Sequence, residues 1–174
     1  MKIFPAIDIK DKKCVRLVKG NFDNKTEYKI SPTDQACKYK DHGFKNLHIV
    51  DLDGALTGET VNLAVIQEIV YKFDLKIEVG GGVRTIDSIK KYTDAGIEKV
   101  ILGSAAIKDK SFLKEACKKF PNQIALGLDA QDGYLSVFGW KENSNKLTLD
   151  FLNEVNDYGP VSYTHLTLPT TPYV

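Results

Sequence analysis

The sequence predicts an α/β fold built around a parallel sheet, and two observations carry this prediction. Short runs rich in Ile, Leu and Val alternate with segments of helical periodicity, and these runs are apolar at nearly every position. Strands that are apolar on both faces are typical of parallel sheets covered by helices. The expected strand ends at Asp8, Asp51, Gly80, Gly103 and Asp129 lie 43, 29, 23 and 26 residues apart. These steps fit the βα units of either a barrel or a doubly wound sheet.

The individual elements follow from the same patterns. Expected strands are KIFPAIDI, LHIVDLDG, KIEVGG, KVILGSA and IALGLDA. One expected helix begins at Ser31-Pro32 and is closed by Gly43. Four others cover VNLAVIQEIVYKF, TIDSIKKYTDAG, SFLKEACKKF and LTLDFLNEVNDYG. The long first step leaves room for a small hairpin within DKKCVRLVKGNFDNKTEYKI. No GxGxxG follows the first strand, which argues against a dinucleotide fold.

Composition excludes several classes of function. The chain has 174 residues, which suits one domain, and its 24 basic and 23 acidic residues give a net charge of +1. This balance predicts neither a nucleic-acid partner nor a membrane partner. The N-terminus does not resemble a signal peptide, and Cys14, Cys37 and Cys117 form no CxxC pair. We therefore expect a cytoplasmic protein with reduced thiols and no metal site.

Two aspartates at strand ends are candidate catalytic residues. Ligands bind at the carboxyl ends of parallel strands, and these ends carry Asp8, Asp51, Asp53 and Asp129. An aspartate near a buried strand end must be hydrated or hydrogen-bonded, so each one alone could simply cap a turn. If the sheet curls into a barrel, Asp8 and Asp129 project toward one mouth and form a pair suited to proton transfer. Asp51 and Asp53 are expected to orient loops or line this mouth.

Two glycine-containing turns are candidate phosphate sites. Gly80, Gly81 and Gly82 allow positive φ and close backbone approach, and the following helix offers its N-terminal N–H groups. A tight turn alone would explain this triplet about equally well. Gly103-Ser104 ends the next strand with a second small-residue turn. The occurrence of both turns on consecutive strands favours a phosphate seat.

Five longer motifs stand out along the chain: PAIDIKDKKCVRLVKGNF, HIVDLDGA, EVGGGVRT, ILGSAA and LGLDAQDGYLSVFGW. Together they resemble the phosphoribosylformimino-aminoimidazole carboxamide ribotide isomerases of histidine biosynthesis, and the resemblance runs from residue 1 to about residue 159. The related cyclase that forms imidazole glycerol phosphate is also similar, but AIDI and VDLDGA favour the isomerase. The resemblance implies a (β/α)₈ TIM barrel, a monomeric full-length protein and a bis-phosphorylated small-molecule substrate.

The implied reaction is an Amadori rearrangement of an aminoaldose to an aminoketose without a cofactor. It needs a base and an acid, which by position would be Asp8 and Asp129; the acid role requires that burial or negative charge raise the pKa of Asp129. His48 and Trp140 would contact substrate or simply pack in the core. Arg84 would bind phosphate or lie in solvent at a helix start.

The sequence departs from the family pattern in two places. Asp11-Lys12 and Gly20-Asn21 replace the usual Asp-Gly and Gly-Asp of the first loop.

After Gly159 the strand–helix pattern stops, and the segment PVSYTHLTLPTTPYV looks foreign to the family. We therefore expect five βα units of an incomplete barrel in residues 1–159 and a disordered, non-native tail in residues 160–174. An inactive chain that self-associates would follow, and the alternative is a non-catalytic half-barrel that binds one phosphate.

Overall fold

A computed structural model describes residues 2–18, 20–131, 133–137 and 142–167. The chain divides into two compact units, Met1–Ile101 and Leu102–Val174. Trp140, one of the expected substrate contacts, lies outside the described residues.

The first unit is a mixed sheet whose centre is parallel. Its strands are β1 (Ala6–Lys10), β2 (Lys13–Val18), β3 (Asn21–Glu27), β4 (Asn46–Asp51), β5 (Lys76–Gly80) and β6 (Lys99–Leu102), in the spatial order β3-β2-β1-β4-β5-β6. The pairs β1–β4, β4–β5 and β5–β6 are parallel, whereas β2 and β3 add an antiparallel hairpin to the edge of β1. The predicted parallel sheet and the predicted hairpin in the first loop are both confirmed.

The register of these strands separates two faces of the sheet. Ile7 and Ile49 are paired across β1 and β4, and Val79 continues this row on β5. All three side chains are buried, and together with the apolar sides of the helices they form the core of the unit. Burial of each such side chain contributes about 1.5–3 kcal/mol. Because side chains alternate along a strand, Asp8 and His48 fall on the other face.

Four helices accompany this sheet: α1 (Pro32–Asp41), α2 (Leu52–Thr57), α3 (Leu63–Lys72) and α4 (Ile86–Asp94). The predicted caps of α1 and α4 are present, because the side chains of Ser31 and Thr85 accept hydrogen bonds from Asp34 N–H and Ser88 N–H. Helix α2 was not predicted. It has only six residues, includes Gly54 and ends at Gly58 in the left-handed conformation, so its sequence resembles a turn.

The second unit combines helices with a small sheet. It contains α5 (Ser104–Lys108), α6 (Lys110–Lys119), β7 (Ile124–Gln131), β8 (Tyr134–Val137), β9 (Glu142–Leu147), α7 (Thr148–Val155), a 3₁₀ turn (Asn156–Tyr158) and β10 (Ser162–Thr167). Strands β7, β8 and β9 form an antiparallel series. Leu113, Leu126 and Phe151 are among its buried core residues. None of the helices in the described part of the chain is long and apolar enough to cross a membrane.

The expectation that no strand follows Gly159 was wrong. Residues 162–167 form β10, which pairs in parallel with β7 from Ser162 opposite Ala125 to Thr167 opposite Ala130. Two physical factors explain the strand: Tyr and Thr favour extended backbone, and the edge of β7 offers N–H and C=O groups for pairing. The count of five βα units is therefore not confirmed. The foreign origin of residues 160–174 stays a prediction.

Candidate functional site

Asp8 lies in the middle of β1, on the polar face of the first unit. Its Cα is opposite Val15 of β2 and Val50 of β4, and its side chain is partly buried. Burial raises the pKa of Asp8 above its usual value of 3.8, while the positive charges of Arg16 and His48 act in the opposite direction. A carboxyl group with a raised pKa is a stronger base, so this environment suits the predicted role.

His48 has an acidic partner on the neighbouring strand. Its Nδ1 lies 2.8 Å from Oε1 of Glu78, and both side chains are largely buried. A carboxylate accepts the hydrogen bond, so Nδ1 carries the hydrogen and the ring orientation is fixed. The sequence left open whether His48 is a core residue or a substrate contact. The structure supports a fixed polar position on the face that carries Asp8.

The glycine triplet forms a turn that packs directly on other backbone. Gly81 and Gly82 have φ of 109° and 73°. A β-carbon on Gly81 would lie 2.2 Å from the carbonyl oxygen of Asp51, and one on Gly82 would lie 1.7 Å from that of Gly54. Gly80 differs, because the nearest atom to its added β-carbon would be Ile101 Cβ at 3.4 Å. Close packing therefore already requires two of the three glycines, and the phosphate seat stays a prediction.

Arg84 follows this turn and contacts the short helix α2. Its Nη2 donates to the carbonyl oxygen of Ala55 at 2.8 Å, and the residue is exposed to solvent. The guanidinium thus satisfies a carbonyl near the end of α2 and remains accessible to an anion. This position is compatible with both interpretations of Arg84.

The remaining predicted site residues belong to the second unit. Asp129 lies on β7, opposite Leu166 of β10, and is partly buried. Gly103 precedes α5, and Ser104 is the first residue of that helix. A β-carbon on Gly103 would have Gly127 O as its nearest atom, at 3.6 Å, so this glycine is not required by crowding.

A buried network of polar groups surrounds Asp51 at the end of β4. Asp51 is fully buried and accepts hydrogen bonds from Gly54 N at 2.9 Å, Asn62 N at 3.0 Å, Asn62 Nδ2 at 2.7 Å and Tyr92 Oη at 3.3 Å. Burial and the charge of Asp51 raise the pKa of Tyr92, so that its hydroxyl remains a donor. These bonds agree with the first of the two roles expected for Asp51, the orientation of loops, while a place for it at the mouth of a barrel stays a prediction.

Replacing Asp51 with asparagine should destabilise the protein by about 3 kcal/mol, because the new amide would present hydrogens to buried donors. Urea unfolding followed by circular dichroism measures this loss. Asp74→Asn is the matched control, since the Asp74 side chain is fully exposed, and it should unfold at nearly the same urea concentration as the unmodified chain. Equal midpoints for the two variants would contradict a structural role for the Asp51 network.

Sequence reasoning missed three polar residues of the first unit. Glu78 partners His48, while Asn62 and Tyr92 hydrogen-bond to Asp51. A charged residue inside the apolar strand KIEVGG was a usable signal for Glu78. Asn62 resembles an ordinary helix N-cap in sequence, but its side chain makes no cap bond to α3 and turns toward the aspartates instead.

Two further features lie outside the predicted site. No group of three or more His, Cys, Asp or Glu side chains in the described ranges is arranged to hold a metal ion. A cavity of about 500 Å³ is found at the amino ends of the first unit's strands, away from Asp8 and the glycine turn. It is lined by Lys2, Ile3, His42, Gly43, Phe44, Lys45, Asn46 and Lys76.

The arrangement of aspartate-bearing and glycine-bearing strand ends can now be compared with known proteins. The sequence model of one family, described as "Histidine biosynthesis protein", matches residues 2–167. The chain belongs to this family. The match covers both units and includes every residue predicted for the site.

Three curated relatives of the chain share the name 1-(5-phosphoribosyl)-5-((5-phosphoribosylamino)methylideneamino) imidazole-4-carboxamide isomerase. The protein of Pelagibacter ubique is 86% identical over 159 residues, which are 91% of this chain and 66% of the relative. That of Chlorobaculum tepidum is 43% identical over 170 residues, 96% of this chain and 65% of the relative. That of Bacillus mycoides is 43% identical over 159 residues, which are 91% of this chain and 66% of the relative. The chain therefore spans about two thirds of the length of these relatives.

Proposed function

We propose that this member of the histidine biosynthesis family is an isomerase that converts a bis-phosphorylated aminoaldose into an aminoketose. The observation that carries the proposal is the 86% identity with the Pelagibacter ubique protein named for this activity. The same name on relatives of about 43% identity supports the isomerase over the related cyclase. The parallel strands of the first unit are compatible with a (β/α)₈ barrel. A complete barrel is part of what we propose.

In the proposed reaction Asp129 is the general acid and Asp8 is the general base. Asp129 protonates the ring oxygen of the aminoaldose while the C1–O bond breaks and the nitrogen lone pair forms a C=N bond. Asp8 then removes the proton from C2, and the electrons of that C–H bond give an enol amine. Return of a proton at C1, with release of the proton of the C2 hydroxyl as the C2=O bond forms, yields the aminoketose, so no atom is gained or lost. The raised pKa of Asp8 supports its role as a base.

The substrate phosphates would be bound by backbone N–H groups and by Arg84. Gly80, Gly81 and Gly82 lie a few residues before Thr85, the N-cap of α4, and Gly103 is the N-cap of α5, which begins at Ser104. Backbone N–H groups of both turns and of the helix starts that follow them would contact the phosphates. Arg84 remains exposed beside the first of these turns. His48 and Trp140 complete the proposed set of substrate contacts. The reaction needs no organic cofactor or metal ion.

A hybrid protein tests the proposal directly. Residues 1–159 of this chain are joined to the C-terminal third of the Pelagibacter ubique relative, and the aminoketose is separated from the aminoaldose by chromatography. We expect the hybrid to turn over substrate at a rate close to that of the relative, which serves as the control. A folded hybrid without isomerase activity would contradict the proposal.

A further inference from the structure

We propose that Glu78 is a positioning residue that holds His48 so that Nε2 of this histidine receives the proton of the substrate's C2 hydroxyl. The inference rests on the proposed function and goes beyond it, because the assigned roles of Asp8 and Asp129 do not account for this proton. The aminoketose forms only when the hydroxyl loses its proton, so a second basic group beside Asp8 assists the last step of the reaction.

The contact between His48 and Glu78 determines which ring nitrogen remains available. Nδ1 of His48 lies 2.8 Å from Oε1 of Glu78, whose side chain is only 10% exposed. Because an ionised carboxylate can only accept hydrogen bonds, Nδ1 carries a hydrogen, and the neutral ring then has its free lone pair on Nε2. Among the described residues, Glu78 is the only one that hydrogen-bonds to this ring. Nε2 is therefore the nitrogen that is left to accept a proton from a ligand.

The strand register places this pair one row away from Asp8. His48 is paired with Glu78, and two residues further along the strands Val50 is paired with Asp8 on one side and with Gly80 on the other. Side chains two residues apart point to the same face, so His48, Glu78 and Asp8 share the polar face of the unit. The spacing of strands and residues in a sheet puts the Cα atoms of Asp8 and His48 about 8 Å apart. This spacing allows both side chains to contact substituents of one substrate carbon.

The proposed step moves two protons at neighbouring atoms of the enol amine. Nε2 of His48 takes the hydroxyl proton, and the electron pair of the O–H bond forms the C2=O bond. The electrons of the C1=C2 bond take up the proton that Asp8 removed from C2. His48 becomes an imidazolium, and the carboxylate of Glu78 stabilises it, as a buried carboxylate does for other imidazole bases. Release of this proton to water and return of a proton to Asp129 restore both groups.

Imidazole nitrogen NMR of the 174-residue chain tests the positioning without turnover. The chemical shifts report which nitrogen carries the hydrogen, and we expect Nδ1–H for the neutral ring of His48, whose signals His48→Gln identifies. Glu78→Leu removes the acceptor and leaves a hydrogen on Nδ1 buried without a partner, so the hydrogen should move to Nε2. His42 is an internal control, because its Nδ1 contacts the carbonyl oxygen of Lys38. Nε2–H in the unmodified chain, or an unchanged His48 signal in Glu78→Leu, would overturn the inference.

Glu78→Gln in the hybrid tests the role of the carboxylate in the reaction. We expect kcat to fall by at least about tenfold and KM to change much less, because the shape of the side chain is kept. Either orientation of the new amide has this effect: its oxygen lacks the charge that stabilises the imidazolium, and its NH₂ group would donate to Nδ1 and leave the hydrogen on Nε2. Glu68→Gln is the matched control, because Glu68 is an exposed residue of α3. This comparison also decides the inference if Glu78→Leu does not fold.

A double variant separates positioning from a merely structural role. His48→Gln should lower kcat by at least about 10²-fold, and adding Glu78→Gln should cause no further loss, because Glu78 acts only through the imidazole. Equal losses from Glu78→Gln with and without His48 would overturn the inference, as would a normal kcat in either single variant. Failure of the proposed function would look different: the hybrid without substitutions would lack isomerase activity, and the proton step would fall with it, while the NMR signals of His48 would still follow Glu78.

Discussion

Asp8→Asn and Asp129→Asn are each expected to lower the turnover of the hybrid protein by at least about 10²-fold, the usual contribution of a positioned base or acid. Asparagine keeps the shape of aspartate but cannot exchange the proton, so substrate binding should change much less than kcat. Steady-state kinetics with purified aminoaldose gives both quantities. Asp23→Asn is the control, because Asp23 is an exposed residue of β3. Near-normal turnover in either site variant would show that its assigned role is wrong.

The pH dependence of the hybrid gives a second check on Asp8. A base acts only when it is deprotonated, so kcat/KM should fall as the pH drops through the raised pKa of Asp8. Arg16→Gln removes a positive charge that lowers this pKa, and the acidic limb of the profile should therefore move to higher pH. An acidic limb that moves to lower pH in this variant would contradict the assignment of the limb to Asp8.

Local patterns were sufficient to predict most elements of the first unit. Ser31-Pro32 with Asp34 specified the start of α1, and Thr85 specified that of α4, because caps depend on residues within one turn. Apolar runs specified β4 and β5 for the same reason. Strand β10 could not be predicted in this way, because its pairing depends on the exposed edge of β7, more than thirty residues earlier in the chain.

The residues of the candidate site also differ in whether a local sequence pattern predicts them. Asp8 and the glycine triplet were recognisable because strand ends of a parallel sheet are where ligands bind. The hydrogen bond from Lys12 N to Asn62, in contrast, joins residues 50 positions apart, and no local pattern signals it. His48 and Glu78 are 30 positions apart, and only the register of β4 against β5 brings them together. The sequence thus predicted which end of the sheet carries the candidate site, whereas the hydrogen bonds between distant residues became visible only in the fold.

Gly82→Ala is expected to destabilise the 174-residue chain by more than about 4 kcal/mol. Two costs add: left-handed backbone costs a non-glycine residue about 1–2 kcal/mol, and a β-carbon 1.7 Å from Gly54 O forces backbone apart. The displaced backbone includes the turn that follows Asp51, so the buried polar network would be disturbed as well. Urea unfolding followed by circular dichroism measures the loss directly.

Two glycine controls separate these costs. Gly43→Ala also has positive φ, but nothing lies within 4 Å of its added β-carbon, so only the backbone cost of about 1–2 kcal/mol should remain. Gly80→Ala has no positive φ and its nearest contact is 3.4 Å, so it should cost less than Gly82→Ala. If Gly82→Ala were no more destabilising than Gly43→Ala, the close approach to Gly54 would not limit residue 82. Its positive φ alone would then account for the glycine, as it does at Gly43.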